Sequence, residues 1–464
     1  PSLVKLGQLL ATRPDLVPSD FVDEFKKLHD QVSALPFGDI RKVIEGELGC
    51  DLHETFEVFE PLPLGAASIS QVHRATLKNG EAVVVKVQRP GIVETIQQDV
   101  GILYFIADLL EKYAPETRAF NPVGIVDEFF KTLELETNFI IEANNIRRVS
   151  ENFRNESSIK IPQVYLECST RRILVLEALQ GIPLSNRAAL LQEGIDREKF
   201  MNEGLRCYLK MVFKDGLFHG DLHAGNLFVM ADGRIGLIDF GIVGRLNRKS
   251  QNTIANMFVA LYTEDYERMA YEYVELAPFN DRVDLDRFAK DLRDLLAPYF
   301  GLSTKNVDFG KLLMESTAIA ARYHFVMPSE LMLFFKSIVT VEGMGRLVLK
   351  DFDFLAQAMA FASELVKTRY EPERVKEDLL YLARDSASLL AILPKQLKQI
   401  VRKINHPDFS LKHKIHGVDE LKRSVETGSN IIFLGFVIGS LILSASILQI
   451  VDKEPKLLNL PFMS

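Results

Sequence analysis

Residues 217–246 read LFHGDLHAGNLFVMADGRIGLIDFGIVGRL, and the spacing of polar groups in this stretch decides the reading of the chain. Asp221 and Asn226 stand five positions apart on a tight loop. Two short apolar runs follow, Leu227–Met230 and Ile235–Ile238, joined by a turn containing Asp232-Gly233, the pattern of a β-hairpin. The second strand delivers Asp239 into an Asp-Phe-Gly turn. Asp, Asn and Gly are common turn formers, so three polar residues in ordinary turns is the plainer reading. Spacing, hairpin and flanking glycines agree on chemistry instead. Phosphoryl transfer needs one loop Asp to orient the attacking hydroxyl or water. It also needs an Asn and a second Asp to hold Mg²⁺ against the phosphates.

This constellation is that of protein-kinase-like enzymes, with a departure. Ordinary protein kinases read His-Arg-Asp, and here the order is His219-Gly220-Asp221. The missing Arg normally pairs with a phosphate on the activation loop. With no Ala-Pro-Glu soon after Asp239 either, phosphorylation-gated activation is not expected. His-Gly-Asp resembles kinase-like enzymes that act on small molecules.

Upstream, residues 58–92 (VFEPLPLGAASISQVHRATLKNGEAVVVKVQRPGI) are strand-like on both sides of Asn79-Gly80, a strong hairpin turn. Gly65-Ala66-Ala67-Ser68 precedes the hairpin, where a kinase carries its Gly-rich phosphate loop. Glycine lets backbone N–H groups approach phosphates, and alanines make such a loop stiffer and narrower. Lys86 follows Val84-Val85 at the place of the strand lysine that contacts the α/β-phosphates. A lysine ending an apolar strand is usually a solvated edge residue, but its position relative to Asp221 favours the nucleotide role. Its carboxylate partner is sought among Glu134, Glu136 and Glu142. Spacing alone does not separate Glu142 from Glu136, and Glu142 is chosen. The residues between are helical, and the stripe Ile102, Phe105, Ile106, Leu109 is read as core packing. Ile173–Leu176 reads as a buried strand, and Glu177 to Gly181 as a hinge whose backbone meets an adenine edge.

The first thirty residues read as helical pieces broken at Pro14 and Pro18, with Ser19-Asp20 capping an amphipathic helix that has Phe21, Phe25 and Leu28 on its apolar side. From Arg248 to about Leu393 the periodicity is helical, and the Met- and Phe-rich faces read as core. Asp408 to Thr427 is polar and linker-like. Residues 431–451 (IIFLGFVIGSLILSASILQIV) carry no charge and match the length of a membrane-spanning helix. A buried core helix, or a hairpin packed on the body, is the alternative. Gly435 and Gly439 form a G-x-x-x-G step that permits a homodimer through this helix. Lys412, Lys414, Lys422 and Arg423 before it weakly favour a cytoplasmic-type side for the preceding domain.

With 464 residues the chain can fold two or three units. A net charge of −8 and the absence of a basic stripe give no reason to expect nucleic-acid binding. Cys50, Cys168 and Cys207 are widely separated, form no ligand or disulfide pattern, and read as small buried hydrophobes in a reducing compartment. The sequence starts at Pro1 without Met and reads as a fragment; no signal or transit peptide is visible.

Lys5-Leu6-Gly7-Gln8, Gly65-Ala66-Ala67-Ser68, Val85-Lys86-Val87-Gln88-Arg89-Pro90-Gly91, Glu142-Ala143-Asn144-Asn145, HGDLHAGN and IDFG occur in that order. Together they resemble the UbiB/AarF-type atypical kinases, which support ubiquinone and other prenylquinone biosynthesis. The resemblance covers nearly the whole chain. It implies an α+β, two-lobed protein-kinase-like fold with an N-terminal helical extension, to which the apolar run over 431–451 adds a C-terminal transmembrane helix. It also implies that the Lys-x-Gly-Gln segment, with Lys5 and Gln8, folds over the site where a peptide substrate would lie. Ala66, Ala67 and Ser68 match the family's Ala-rich loop, Lys86 its nucleotide lysine, and Glu142 the helix partner. Asp221, Asn226 and Asp239 match its catalytic and metal residues. A Glu-x-Asp motif that meets the Lys-x-Gly-Gln segment is matched by Glu136-Thr137-Asn138, with Asn for Asp. Gly65 stands where the family often has Ala, which would loosen the loop.

The expected organisation is an extension over 1–50, an N-lobe with a helical insertion over 51–180, and a helical C-lobe over 181–400. A linker over 401–430 and a transmembrane helix over 431–451 complete it. The expected activity is that of a Mg-ATP-dependent ATPase or small-molecule kinase at a bacterial inner membrane or an organelle membrane. Asp221, Lys86 and Glu142 are its catalytic residues. Ala66, Ala67, Ser68, Lys86 and Glu177 bind ATP or ADP, Asn226 and Asp239 bind Mg²⁺, and Lys5, Gln8 and Glu136 regulate. Membrane lipid or a prenylquinone precursor and quinone-biosynthesis proteins are the expected partners, and no nucleic acid. A nucleotide-gated scaffold or lipid-binding protein with negligible catalysis, or a protein kinase acting in trans, are the alternatives.

Overall fold

The computed structural model describes residues 2–11, 32–114, 121–186, 195–276, 284–299 and 307–369, less positions 324, 326 and 350, and isolated positions between 13 and 25 and between 429 and 461. Two compact units divide the chain, Pro1–Glu371 and Pro372–Ser464.

In the first unit the residues around Asn79-Gly80 form an antiparallel sheet. Its strands β1 (Phe56–Ala66), β2 (Ser70–Leu77), β3 (Ala82–Gln88) and β5 (Ile173–Glu177) lie in the order β1-β2-β3-β5. Period-two alternation sends Val83, Val85 and Val87 into a core with Phe56, Ile173 and Val175. The helix Phe37–Leu48 closes that core with Ile40, Val43 and Ile44. Lys86 therefore points to the opposite face of the sheet, toward the helix Phe139–Asn152.

Between β3 and that helix lie Ile92–Tyr113 and Pro122–Glu136, packed on each other and on the N-terminal helix Ser2–Leu10. Ile92, Ile96, Val100 and Ala107 make the buried seam with Val126, Phe129 and Leu133, and Leu6 and Leu9 pack against it. The stripe expected to be core is instead on the surface. Ile102, Phe105, Ile106 and Leu109 are 60, 65, 46 and 37 % exposed. This helix is apolar on two faces and its neighbours cover only one.

The rest of the unit is built on a second sheet in the order β4-β9-β8-β6, from β4 (Ile159–Lys160), β6 (Gly181–Pro183), β8 (Leu227–Met230) and β9 (Ile235–Leu237). β8 and β9 are the predicted hairpin, with Val229 opposite Ile235. A two-stranded ribbon joins β7 (Leu217–His219) to β10 (Val243–Arg245). Helices Arg248–Tyr262, Tyr266–Leu276, Leu285–Leu296, Phe309–Arg322, Ser329–Val348 and Phe354–Arg369 follow the predicted helical periodicity, and Arg197–Lys210 precedes them. Asp196, Asn247, Asp284 and Asp308 cap four of these helices, each accepting from a backbone N–H of the first turn. Their Phe- and Met-rich faces are core as expected, including Met257, Phe258, Phe309, Phe334 and Phe335. Cys207 is buried, whereas Cys50 and Cys168 are half-buried, and all three are free thiols.

Among the described residues no helix is long and apolar enough to cross a membrane, so the expected transmembrane helix over 431–451 is not found as such. Described positions within that stretch are helical, and Ile432, Phe433, Phe436, Leu441 and Leu443 are exposed. The remainder of it, nearly all of the 401–430 linker, residues 370–400, and Ser19, Asp20 and Leu28 lie outside the described residues.

Candidate active site

The Phe139–Asn152 helix starts at Asn138, whose side chain accepts from Ile140 N–H at 3.2 Å. One turn on, Glu142 is buried and receives both hydrogen bonds of Lys86, at 3.1 and 2.9 Å. The Lys86 ammonium also lies 3.4 Å from Asp239 Oδ1 and over the Phe139 ring. One cation thus serves two carboxylates. Lys86's charge holds the Asp239 carboxyl down to about 2. Burial pushes Glu142 up to about 7, because Lys86's opposing charge is shared with Asp239. Asp239 sits at φ 60°, a left-handed conformation that Asp adopts more readily than most side chains and that marks functional turns. Asn145 fixes this turn from the same helix: its Nδ2 donates to Phe240 O at 3.1 Å and its Oδ1 accepts from Arg245 at 2.9 Å.

Across the site, His219 is fully buried beneath the catalytic loop. Its Nε2–H donates to Ile238 O at 3.0 Å and its Nδ1 accepts from Asp221 N–H at 3.1 Å, partners that assign the neutral tautomer. Burial holds the imidazole below its usual range. Asn226 Nδ2 donates to Asp221 O at 3.1 Å, which leaves the amide oxygen as an acceptor. Asn226 O in turn accepts from Ile238 N–H at 3.0 Å, setting the Asn beside the Asp239 turn.

Sequence reasoning missed a neighbour of the loop. Helix Ser329–Val348 lies against it: Lys336 Nζ donates to Asp221 Oδ1 at 2.9 Å, and Ser337 Oγ is 3.4 Å from both His219 O and Gly220 O. Burial works to raise the Asp221 carboxyl, but Lys336's charge and hydrogen bond outweigh it and hold it below the usual range. At Gly220 the helix packs directly on the loop backbone. A Cβ there would stand 2.6 Å from Leu333 Cδ2 and 3.0 Å from Ile242 Cγ2. The arginine of an ordinary kinase has no room, so the His-Gly-Asp spelling follows from this packing. No local pattern could reveal a contact spanning that many residues.

The phosphate-loop candidates turn between β1 and β2. Ala67 N–H donates to Ser70 O at 2.8 Å, Ser68 is buried, and Arg89 Nε holds Ala67 O at 2.8 Å. Gly65 has ordinary backbone geometry and open space where a Cβ would stand, so the chain does not need glycine there. The Glu177 side chain is turned to Lys160 at 2.7 Å and to Gln163 N–H at 3.0 Å, and its own N–H donates to Gln163 O at 2.9 Å. Lys5 meets Glu136 at 3.1 Å, joining the N-terminal helix to the insertion as the resemblance implies. Gln8 is on the same helix, and its side chain lies outside the described residues.

A strand lysine paired with a helix glutamate, a hairpin-borne Asp and a loop Asp–Asn pair form the residue arrangement of a protein-kinase-like domain. Residues 27–273 match the ABC1 atypical kinase-like domain and residues 292–353 the UbiB helical domain. The chain is 35% identical over 383 residues to the "Probable protein kinase UbiB" of Marinobacter nauticus, covering 82% of this chain and 70% of that one. It is 32% identical over 411 residues to the protein of the same name from Pseudomonas entomophila, covering 88% and 76%. In fold it is similar to Rv3197 of Mycobacterium tuberculosis, solved in complex with erythromycin, with a TM-score of 0.51, 23% identity, and coverage of 76% and 90%. The chain belongs to the UbiB family of atypical kinase-like proteins.

Such domains use ATP with Mg²⁺, and the donors fit that ion. Asp239 is ionised and Asn226 offers a free amide oxygen, both hard ligands of the kind Mg²⁺ takes alongside phosphate oxygens and water. Among the described residues there is no cluster of three His, Cys, Asp or Glu that would hold a metal without such outside ligands.

Proposed function

We propose that this protein is a Mg-ATP-dependent ATPase or small-molecule kinase that works at a membrane and supports ubiquinone or other prenylquinone biosynthesis. The observation that carries the reading is the shared contact of Lys86 with Glu142 and Asp239, opposite Asp221 and Asn226. Mg²⁺ held by Asn226 and Asp239 would neutralise charge building on the phosphates. Lys86, fixed by Glu142, binds the phosphates, and Asp221 orients the attacking oxygen. The quinone-pathway assignment rests on membership of the UbiB family. Membrane work is supported by the exposed face of Ile102, Phe105, Ile106 and Leu109, a contiguous apolar patch of the kind that marks contact with lipid or a partner. The helical, apolar positions between 432 and 444 support a second membrane contact.

The test is phosphate release from Mg-ATP by the full chain, with and without liposomes or a soluble phenolic quinone-precursor analogue, with Asp239→Asn as control. Release that rises with lipid or precursor and vanishes in the variant is expected. No release above the variant's, with nucleotide binding intact, would replace turnover with a nucleotide-gated scaffold.

A further inference from the structure

The catalytic loop places no Lys or Arg of its own beside Asp221, whose Oδ2 lies 4.0 Å from the His223 ring. From His219 to Asp239 the only Lys or Arg is Arg234, and its guanidinium is held by Asp232 at 2.7 Å. The positive charge beside Asp221 comes instead from Lys336, 115 residues later, in the segment that matches the UbiB helical domain. Three features hold it there. Leu333, one turn earlier on the same face, packs on Gly220, where no side chain intervenes. Ser337, next in sequence, is buried between the His219 and Gly220 carbonyls. Its hydroxyl also donates to Leu333 O at 2.8 Å, which locks it to the helix.

Stability does not account for the pair. The Lys336 and Asp221 side chains are 34 and 38 % exposed, and ion pairs that open to solvent contribute little to folding. An ammonium has three donors, and among the described residues Asp221 is the ion-pair partner that takes one. The Lys336 side chain is about one-third exposed, so its other donors are open to a ligand that approaches Asp221.

We propose that Lys336 completes the phosphoryl-transfer site: it fixes the Asp221 carboxylate and offers its other donors to the terminal phosphate of bound ATP. The inference rests on the ATP reading above. In the step, the bond from the terminal phosphorus to the bridging oxygen breaks and its electron pair stays on the departing diphosphate. The acceptor oxygen forms the new bond, and its proton passes to Asp221. Lys336 exchanges no proton. It balances the charge that spreads over the transferring group, the task to which such sites devote most of their catalytic effect. The helical domain is thereby part of the active site.

The experiment measures Mg-ATP and Mg-ADP affinity by titration calorimetry on the full chain, with turnover in parallel, for wild type, Lys336→Ala, Lys336→Met and Lys336→Arg. Hydrogen bonds to charged groups set the scale. The alanine and methionine variants should bind Mg-ATP roughly tenfold to a hundredfold more weakly while Mg-ADP changes less than about twofold, and turnover should fall further. Lys336→Arg should recover part of the ATP preference. Met keeps the apolar stem, so a thermal melt matching wild type separates lost charge from lost folding. Equal losses for both nucleotides, or an unchanged ATP-to-ADP ratio in the Met variant, overturn the proposal. Absence of Mg-ATP binding by wild type would instead overturn the ATP reading, and this inference with it.

Discussion

Gly220→Ala should be expensive out of proportion to its size. The added Cβ lands 2.6 Å from Leu333 Cδ2 and 2.9 Å from Leu333 Cγ. Carbon atoms in contact prefer about 3.5–4.0 Å, so Leu333 must retreat by roughly 1 Å. Because Cγ is too close as well, turning the terminal methyl alone gives no relief, and the helix backbone is held by Ser337 and by buried neighbours such as Phe334 and Phe335. Overpacking of this kind costs about 1–3 kcal/mol, and a misplacement of about 1 Å near the chemistry can slow turnover by up to ~100-fold. The same retreat moves Lys336 off Asp221. Urea unfolding of Gly220→Ala, Leu333→Ala and the double variant reads the first quantity. Leu333→Ala makes the room that Gly220→Ala needs, so the double variant should be more stable than the summed losses by about 1 kcal/mol or more. Additive losses, or a Gly220→Ala protein with wild-type stability and turnover, would refute the packing account of His-Gly-Asp.

Other perturbations test the site piece by piece. Lys86→Met removes the partner of a Glu142 that is only 4 % exposed, so it should destabilise by about 3 kcal/mol in urea unfolding; Lys86→Met with Glu142→Gln should recover much of that. Asn138→Asp should leave stability within a few tenths of a kcal/mol, and Asn138→Ala should cost about 1 kcal/mol, since the side chain acts as an N-cap that either acid or amide can supply. Asp239 is held at about 2, against 3.8 for an ordinary Asp, so its ionised form stabilises the fold above 3.8 and that contribution is lost as pH falls through 2. The stability difference between wild type and Asp239→Asn should therefore shrink steadily between pH 5 and 2, and a difference constant over that range would contradict the Lys86 pairing. Gly65→Ala should fold and melt like wild type, because nothing stands within 4 Å of the new methyl.

What could be read from the chain was local or paired by type. The two hairpins were legible because Asn79-Gly80 and Asp232-Gly233 sit between alternating apolar runs. Lys86, Glu142 and Asp239 were legible because a buried cation demands a carboxylate and the hairpin fixes where Asp239 falls. Glu136 and Glu142 could not be separated by spacing, and the structure divides them by partner: Glu142 takes Lys86 and Glu136 takes Lys5. The apolar stripe of Ile92–Tyr113 was misread because periodicity reports that a face is apolar and not what covers it. Lys336 left no trace, since a lone lysine on a long helix looks like a solvated residue until the helix is docked.

The departures from ordinary kinases therefore have one physical cause. An ordinary kinase places an arginine beside its catalytic Asp and lets a phosphorylated loop decide whether the site is ordered. Here the space of that arginine is filled by Leu333, and the charge near Asp221 is delivered by Lys336 from the same helix face. On the other side of the site, Lys5 ties the N-terminal helix to Glu136, two residues before the Asn138 cap of the helix that holds Glu142. Both added elements thus end next to the site, Lys336 on Asp221 and Lys5 on the residue two before the cap of the Glu142 helix, and neither contact requires a covalent modification to form. A site ordered in this way responds to whatever moves those helices. On the membrane role proposed above, the exposed apolar face of Ile92–Tyr113, a helix that also packs on the N-terminal helix, is the surface through which a lipid would do so.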